Sequence, residues 1–275
     1  MCLANLSDKK WSVSVVLRFL IAGTLILLLS CDEARFLSTA SQRALIFDVE
    51  ASRHAAAPYL VQNENSSCEP VFATTLERII SGDARSSELL SFVEKSLLEE
   101  KRADKLLCTE RHSGPTTRET FGLRAITACA TLQFTLPGVP ALTQRQEAEI
   151  LNSESGVNAL YRMLIDLRNT YSCLKQGRYM PLGAMMMSGS AAGFIREDDD
   201  SIIAVLVNLQ NRAVTNVKFA VHPELKQAYQ HFQLTNLADS TESVRATELY
   251  LEQMLPFEAV LYAAKKMNND KNPNP

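Results

Sequence analysis

The chain has 275 residues, enough for one large domain or two ordinary ones with a substantial buried core. Hydrophobic residues make up 46% and charged residues 21%, close to an average soluble globular chain. The net charge of −3, with no stripe of Lys and Arg, leaves no electrostatic footprint for nucleic acid and argues against a DNA- or RNA-binding role.

Residues 11–30 (WSVSVVLRFLIAGTLILLLS) are apolar apart from Arg18, and their length of 20 residues is what a helix needs to cross a bilayer. Lys9-Lys10 before the run and Asp32-Glu33 after it would keep the N-terminus cytoplasmic. Arg18 opposes that reading by roughly 2.5–3.5 kcal/mol in lipid. Two alternatives stay open. One is a cleaved signal peptide, since residues 28–31 (LLSC) have a loose lipoprotein-signal character. The other is a buried strand over residues 15–24 followed by a helix.

Downstream, residues 44–52 (ALIFDVEAS) read as a strand closing on acidic residues. Residues 72–82 place Leu76, Ile79 and Ile80 on one helical face, with Gly82 as C-cap. Residues 86–100 form an amphipathic helix with Ser86 or Ser87 as N-cap and Leu89, Leu90, Val93, Leu97 and Leu98 as its apolar stripe. Residues 104–110 are a short strand. Residues 121–135 start as a helix, but the apolar LQFTL at their end fits helix or strand. In residues 156–171, Val157, Leu160, Tyr161, Leu164 and Leu167 recur at helical spacing. From about residue 178 the pattern turns to short β-like runs separated by turns: AGFIRE, SIIAVLVNL, NVKFAV, FQLTNL and PFEAVLYAA. The acidic EDDDS (197–201) joins two of them. A helix–strand alternation followed by strands predicts an α/β layer and then an antiparallel sheet. The polar tail, 265–275, is expected to be disordered.

The six cysteines (2, 31, 68, 108, 129, 173) form no C-x-x-C pair, so a structural zinc site is disfavoured and no metal or cofactor is expected. Their even number permits disulfides without fixing any. Cys129, inside an apolar run, reads as a small buried hydrophobe.

The order of these pieces resembles the C-terminal half of the alpha-amylase family of glycoside hydrolases. Leu136-Pro137-Gly138-Val139-Pro140 resembles the turn that family carries at its last barrel strand. Residues 159–180 are similar to the helix that follows, 193–211 to the first hairpin of the C-terminal domain, and 255–264 to its last strand. The resemblance implies a truncated (β/α)8 TIM barrel followed by a small antiparallel β domain. Its divisions would be an N-terminal apolar segment (1–30), the half-barrel (31–175), the antiparallel domain (176–264) and the tail. It also implies that Pro137, Gly138 and Pro140 end a buried parallel strand at the barrel's catalytic face.

Retaining glycosidases need two carboxylates about 5–5.5 Å apart. The family's Gly-Phe-Arg-x-Asp motif is absent here. Arg111-His112-Ser113 stands where Asn-His-Asp is expected, and residues 143–147 (TQRQE) replace Tyr-Gly-Asp-Glu. His112 then reads as a surface-loop histidine, and Asp48 and Glu50 as ordinary strand-end acids, so no catalytic residue is assigned. Residues 18–24 (RFLIAGT) are similar to a strand of the family's non-catalytic branch, the heavy chains of heteromeric amino acid transporters. That likeness implies an ancillary subunit with a polytopic transporter light chain as partner. It implies a single-pass type II topology at the plasma membrane with an extracellular C-terminus, or else secretion. Cys31 would be the residue bonding the light chain, and Asn65, in Asn65-Ser66-Ser67, an N-glycosylation site. The strand and membrane-span readings of residues 15–24 exclude each other. The alternative function is a fragment of an amylase- or maltase-type hydrolase acting on alpha-glucosides.

Overall fold

A computed structural model describes residues 70–99, 105–109, 116–152, 156–184, 191–220, 226, 229, 230, 232–247 and 249–266. The chain divides into two units, Met1–Ile46 and Phe47–Pro275, and all described residues belong to the second. The expectations placed on residues 11–30, Cys31, Asp48, Glu50, Asn65 and His112 lie outside the described residues. No helix among the described residues is long and apolar enough to cross a membrane.

Helix α1 (Pro70–Ser81) opens on proline, whose fixed φ suits a first helical position. Phe72, Leu76 and Ile79, spaced by four and three residues, are essentially fully buried. Each such burial contributes about 1.5–3 kcal/mol. The helix stops at Gly82, which takes φ +86° and donates its N–H to Ile79 O, as the C-cap reading anticipates.

Helix α2 (Ser86–Phe92) differs from expectation at both ends. Its N-cap is Arg85, with no side-chain cap bond. Ser86 is buried instead, and its Oγ donates to Ala191 O at 2.8 Å. After Phe92 the coil widens into a π-helical turn over Val93–Glu99. The wider turn shifts the phase of the stripe. Leu89, Val93 and Leu97 stay in the core while Leu98 turns out to 40% exposure.

The expected strand at 104–110 is present as β1 (Leu106–Leu107). Helix α3 (Thr117–Phe121) begins with a reciprocal capping box between Thr116 and Glu119. Helix α4 (Leu123–Thr135) then runs on through LQFTL, which settles the ambiguous stretch as helix. Every residue from Ala128 to Thr135 is buried, so the segment has no polar face and no amphipathic period to read. Thr135 closes the last turn by donating Oγ1 to Thr131 O at 2.6 Å. The chain turns at Pro137-Gly138 and forms β2 (Val139–Pro140), parallel to β1 with Leu106 opposite Val139. Helices α5 (Gln144–Asn152), α6 (Val157–Thr170) and α7 (Cys173–Gln176) follow. On α6 the predicted stripe from Val157 to Leu167 is buried throughout.

The remaining elements are strands: β3 (Arg178–Pro181), β4 (Gly183–Ala184), β5 (Ala191–Glu197), β6 (Ser201–Asn208), β7 (Val214–Ala220), β8 (Gln233–Asn236), β9 (Ser243–Arg245), β10 (Leu249–Met254) and β11 (Ala259–Lys265). They make a six-stranded sheet in the order β3-β5-β6-β11-β8-β9 and a three-stranded sheet in the order β10-β7-β4. All pairings in both sheets are antiparallel.

The six-stranded sheet is covered on both faces. Phe194, Ile203, Val205 and Leu261 join the core of α1, α2 and α4. Ile195, Ile202, Ala204 and Leu206 pack with Val217, Phe219 and Leu249 of the smaller sheet. Burial on both faces explains why β5 and β6 read as continuous apolar runs without a period of two. The antiparallel domain is thus two sheets, the larger of them floored by helices. Among the described residues the parallel sheet consists of β1 and β2.

Candidate functional site

In parallel α/β layers, ligands meet the carboxyl ends of the strands. Here those ends are the residues just past β1 and β2, and a polar network lies across them. Thr143 and Gln146 form a capping box at the start of α5. Thr143 donates its backbone N–H to Gln146 Oε1 at 3.0 Å, and Gln146 N donates to Thr143 Oγ1 at 3.3 Å. Gln146 Nε2 also donates to Thr109 Oγ1 at 2.8 Å, reaching past β1, and to Tyr161 Oη on α6 at 3.3 Å. All four residues are buried.

Gln133, fully buried on α4, braces the same ends from behind. Its Nε2 donates to Leu107 O at 2.8 Å and to Ala141 O at 2.6 Å. Every side chain in this network is an amide, hydroxyl or phenol, which can position strand ends but supplies no carboxylate. Cys108, buried between Leu107 and Thr109, is disulfide-bonded. Cys129 and Cys173 are buried and form no disulfide, so the partner of Cys108 is not among the described residues. Among the described residues no group of three or more His, Cys, Asp and Glu could hold a metal ion.

Pro137 and Gly138 do not end a strand. They follow α4 and precede β2, so they enter the strand at its amino end, while Pro140 is the last residue of β2. The turn reverses the chain tightly. Gly138 takes φ +121°, and a Cβ there would meet the Leu107 side chain at 2.9 Å. Two buried arginines hold the turn. Arg168 of α6 donates Nη1 to Phe134 O at 2.8 Å and Nη2 to Gly138 O at 2.6 Å. Arg196 of β5 donates Nη1 to Thr135 O at 2.9 Å and Nη2 to Gly177 O at 3.0 Å. Together they satisfy carbonyls that the end of α4 would otherwise leave unpaired, at the pole of the helix that favours cations. Burial first, and the neighbouring Arg168 second among the lowering causes, pull the Arg196 guanidinium down to about 10, so it remains charged at neutral pH.

The Thr143-x-x-Gln146 spacing is a capping-box pattern legible in the sequence, and it marks the helix that carries the network. Gln133, Arg168 and Arg196 carry no such local signal, because their partners are backbone carbonyls distant in sequence.

No protein-family profile matches the chain. No curated protein matches it either. Solved structures do match in fold. A maltogenic alpha-amylase from Thermotoga neapolitana is 12% identical, with 81% of this chain and 60% of that one covered at a TM-score of 0.59. An alpha-amylase from Geobacillus thermoleovorans, complexed with acarbose, is 12% identical over 81% and 52% of the two chains, at 0.55. An acarbose-soaked debranching enzyme from Nostoc punctiforme is 17% identical over 70% and 43%, at 0.51. The chain therefore spans between 43% and 60% of the length of these structures. Nothing found links it to the heavy chains of amino acid transporters, the finer of the two resemblances in the sequence. The described part of this chain has an alpha-amylase-like fold.

Proposed function

We propose that this chain supplies the C-terminal part of an alpha-amylase-type glycoside hydrolase acting on alpha-glucosides. The observation that carries the reading is the order of elements: β1, the α4 helix with its arginine-held turn, β2, then helices leading into a two-sheet antiparallel domain. The fold of the alpha-amylases named above matches 81% of this chain in two of them. The Thr109–Thr143–Gln146–Tyr161 network then positions the strand ends around the substrate. The two carboxylates that cleavage requires come from outside these residues. The test is release of glucose or maltose from maltotriose and maltoheptaose by the natural protein purified from its source. Turnover that acarbose inhibits supports the reading, and a folded protein that cleaves neither substrate refutes it.

A second reading is that the fold is non-catalytic, which the sequence resemblance extends to an ancillary subunit of an amino acid transporter; one observation favours the loss of catalysis. The segment that replaces Tyr-Gly-Asp-Glu is occupied by a helix-capping box whose Gln146 side chain is fully engaged inside the fold. That reading expects co-purification with a polytopic transporter, sensitive to reduction if Cys31 forms the link, and no glycoside turnover.

A further inference from the structure

Just past β1, Cys108 is fully buried and disulfide-bonded. It stands between Leu107, whose carbonyl accepts from Gln133, and Thr109, whose hydroxyl accepts from Gln146. The bond it makes therefore acts on the end of β1 and on the polar network there.

The chain's own cysteines narrow the partner. They are six, at 2, 31, 68, 108, 129 and 173. Cys129 and Cys173 form no disulfide. Cys2 and Cys31 fall in the unit Met1–Ile46, whereas Cys68 and Cys108 share the unit Phe47–Pro275. Cys68, outside the described residues, is two positions ahead of Pro70, where α1 begins, and chain geometry keeps its Cα within about 7 Å of that proline. Phe72, near the start of α1, is fully covered in the same apolar cluster as Leu107, the neighbour of Cys108. The start of α1 and the end of β1 thus share one core. A disulfide requires Cα atoms within roughly 7 Å, which only segments gathered in this way can offer.

Burial decides the kind of bond. A disulfide with no exposed surface meets an attacking thiolate only when the fold opens, so it is a structural link and not a switch. A bond from residue 68 to residue 108 closes a loop of about 40 residues and removes much of that loop's freedom from the unfolded chain.

We infer that Cys108 is bonded to Cys68, in a structural disulfide that fastens the segment entering α1 to the carboxyl end of β1. Its formation consumes two thiols and one disulfide oxidant of the glutathione type. The Cys68–Cys108 bond forms, the oxidant's S–S bond breaks, and the two thiol hydrogens pass to the oxidant's two sulfurs. The chain matures in a compartment that supplies such an oxidant. The bond stands on the cysteine set and the fold, whatever ligand the strand-end network takes.

The test is a peptide map of the natural protein, alkylated in denaturant without reduction and digested with trypsin. Peptide N-glycosidase is added because Asn65 lies on the same tryptic peptide as Cys68. Trypsin puts the six cysteines on six separate peptides, with Cys68 on residues 54–78 and Cys108 on residues 106–111. The expected result is one species joining 54–78 to 106–111, which reduction separates. Cys108 carrying the alkyl group, or joined to the peptide of Cys2, Cys31, Cys129 or Cys173 or to a second copy of its own, overturns the inference. Thermal melts give an independent reading. Cys68→Ala, Cys108→Ala and the double variant should share one fall in Tm of roughly 5–15 °C, because each removes the same bond. Losses that add in the double variant overturn it as well.

Discussion

Replacing Arg168 by methionine removes one of the two guanidinium groups that hold the end of α4 while keeping most of the apolar stem. The change leaves Phe134 O and Gly138 O without the donors that now reach them at 2.8 and 2.6 Å. Both carbonyls belong to a buried region, since Phe134 is fully covered and Arg168 itself is 5% exposed. A hydrogen bond from a charged donor contributes about 1.5–3 kcal/mol, so losing two costs about 3–6 kcal/mol. Part of this is returned because Arg196 loses a like-charged neighbour. A net loss of about 3 kcal/mol is expected, equivalent to roughly 6–12 °C in Tm for a unit of this size. Urea unfolding followed by tyrosine fluorescence and far-UV circular dichroism gives the number, and an unchanged slope with denaturant shows that the fold is retained. Lysine at the same position, able to reach one carbonyl, should fall between the two. A loss below about 1 kcal/mol in Arg168→Met would refute the idea that the arginines hold this turn.

Three further outcomes follow from individual contacts. Asp198 works against partial burial, but bonds from Ser172, the Asp200 N–H and Ser201 outweigh it and hold its carboxyl below the usual range. Its stabilisation is therefore present above the unfolded value of about 4 and lost as pH falls through the lower folded value, so Asp198→Asn should be less stable than wild type at pH 7, with the gap narrowing as pH falls below about 4 in parallel thermal melts. Tyr179 has its ring 5.5 Å from Phe194, but its buried hydroxyl has no hydrogen-bond partner, so Tyr179→Phe should be neutral or stabilising by up to about 1 kcal/mol in urea unfolding; a clear loss would expose a missed donor or acceptor. A Cβ on Gly193 would stand 2.5 Å from the Phe219 ring, between the two sheets, so Gly193→Ala should cost about 1–3 kcal/mol by calorimetry, and a neutral result would mean that the sheets are not packed this closely.

The sequence is most informative where one face of an element is polar or a polar turn brackets it. The stripes of α1 and α6 follow from periodicity, and the fully buried hairpin β5–β6 from its turn residues 197–201. It is least informative where burial is complete and no turn marks the element. In α4 the run from Ala128 to Thr135 is covered on every side, so helix and strand cannot be told apart by period, and the family resemblance puts Pro137-Gly138 at the end of a strand that they in fact precede. Leu98 was misplaced for another reason: a π-turn after Phe92 breaks the 3.6-residue count on which the stripe depends. Of the candidate site, only Thr143 and Gln146 had a local signature. Gln133, Arg168 and Arg196 act on carbonyls made adjacent by the fold, such as Arg196 on Thr135, and no local pattern marks such a bond.

The most direct test of the account is a calorimetric titration of the natural protein with acarbose, the compound named with two of the matching structures. Saturable binding at one class of site, competed by maltoheptaose, is the predicted result. A cooperatively folded protein that takes up no acarbose would contradict the alpha-glucoside reading and leave the fold as a scaffold for another purpose.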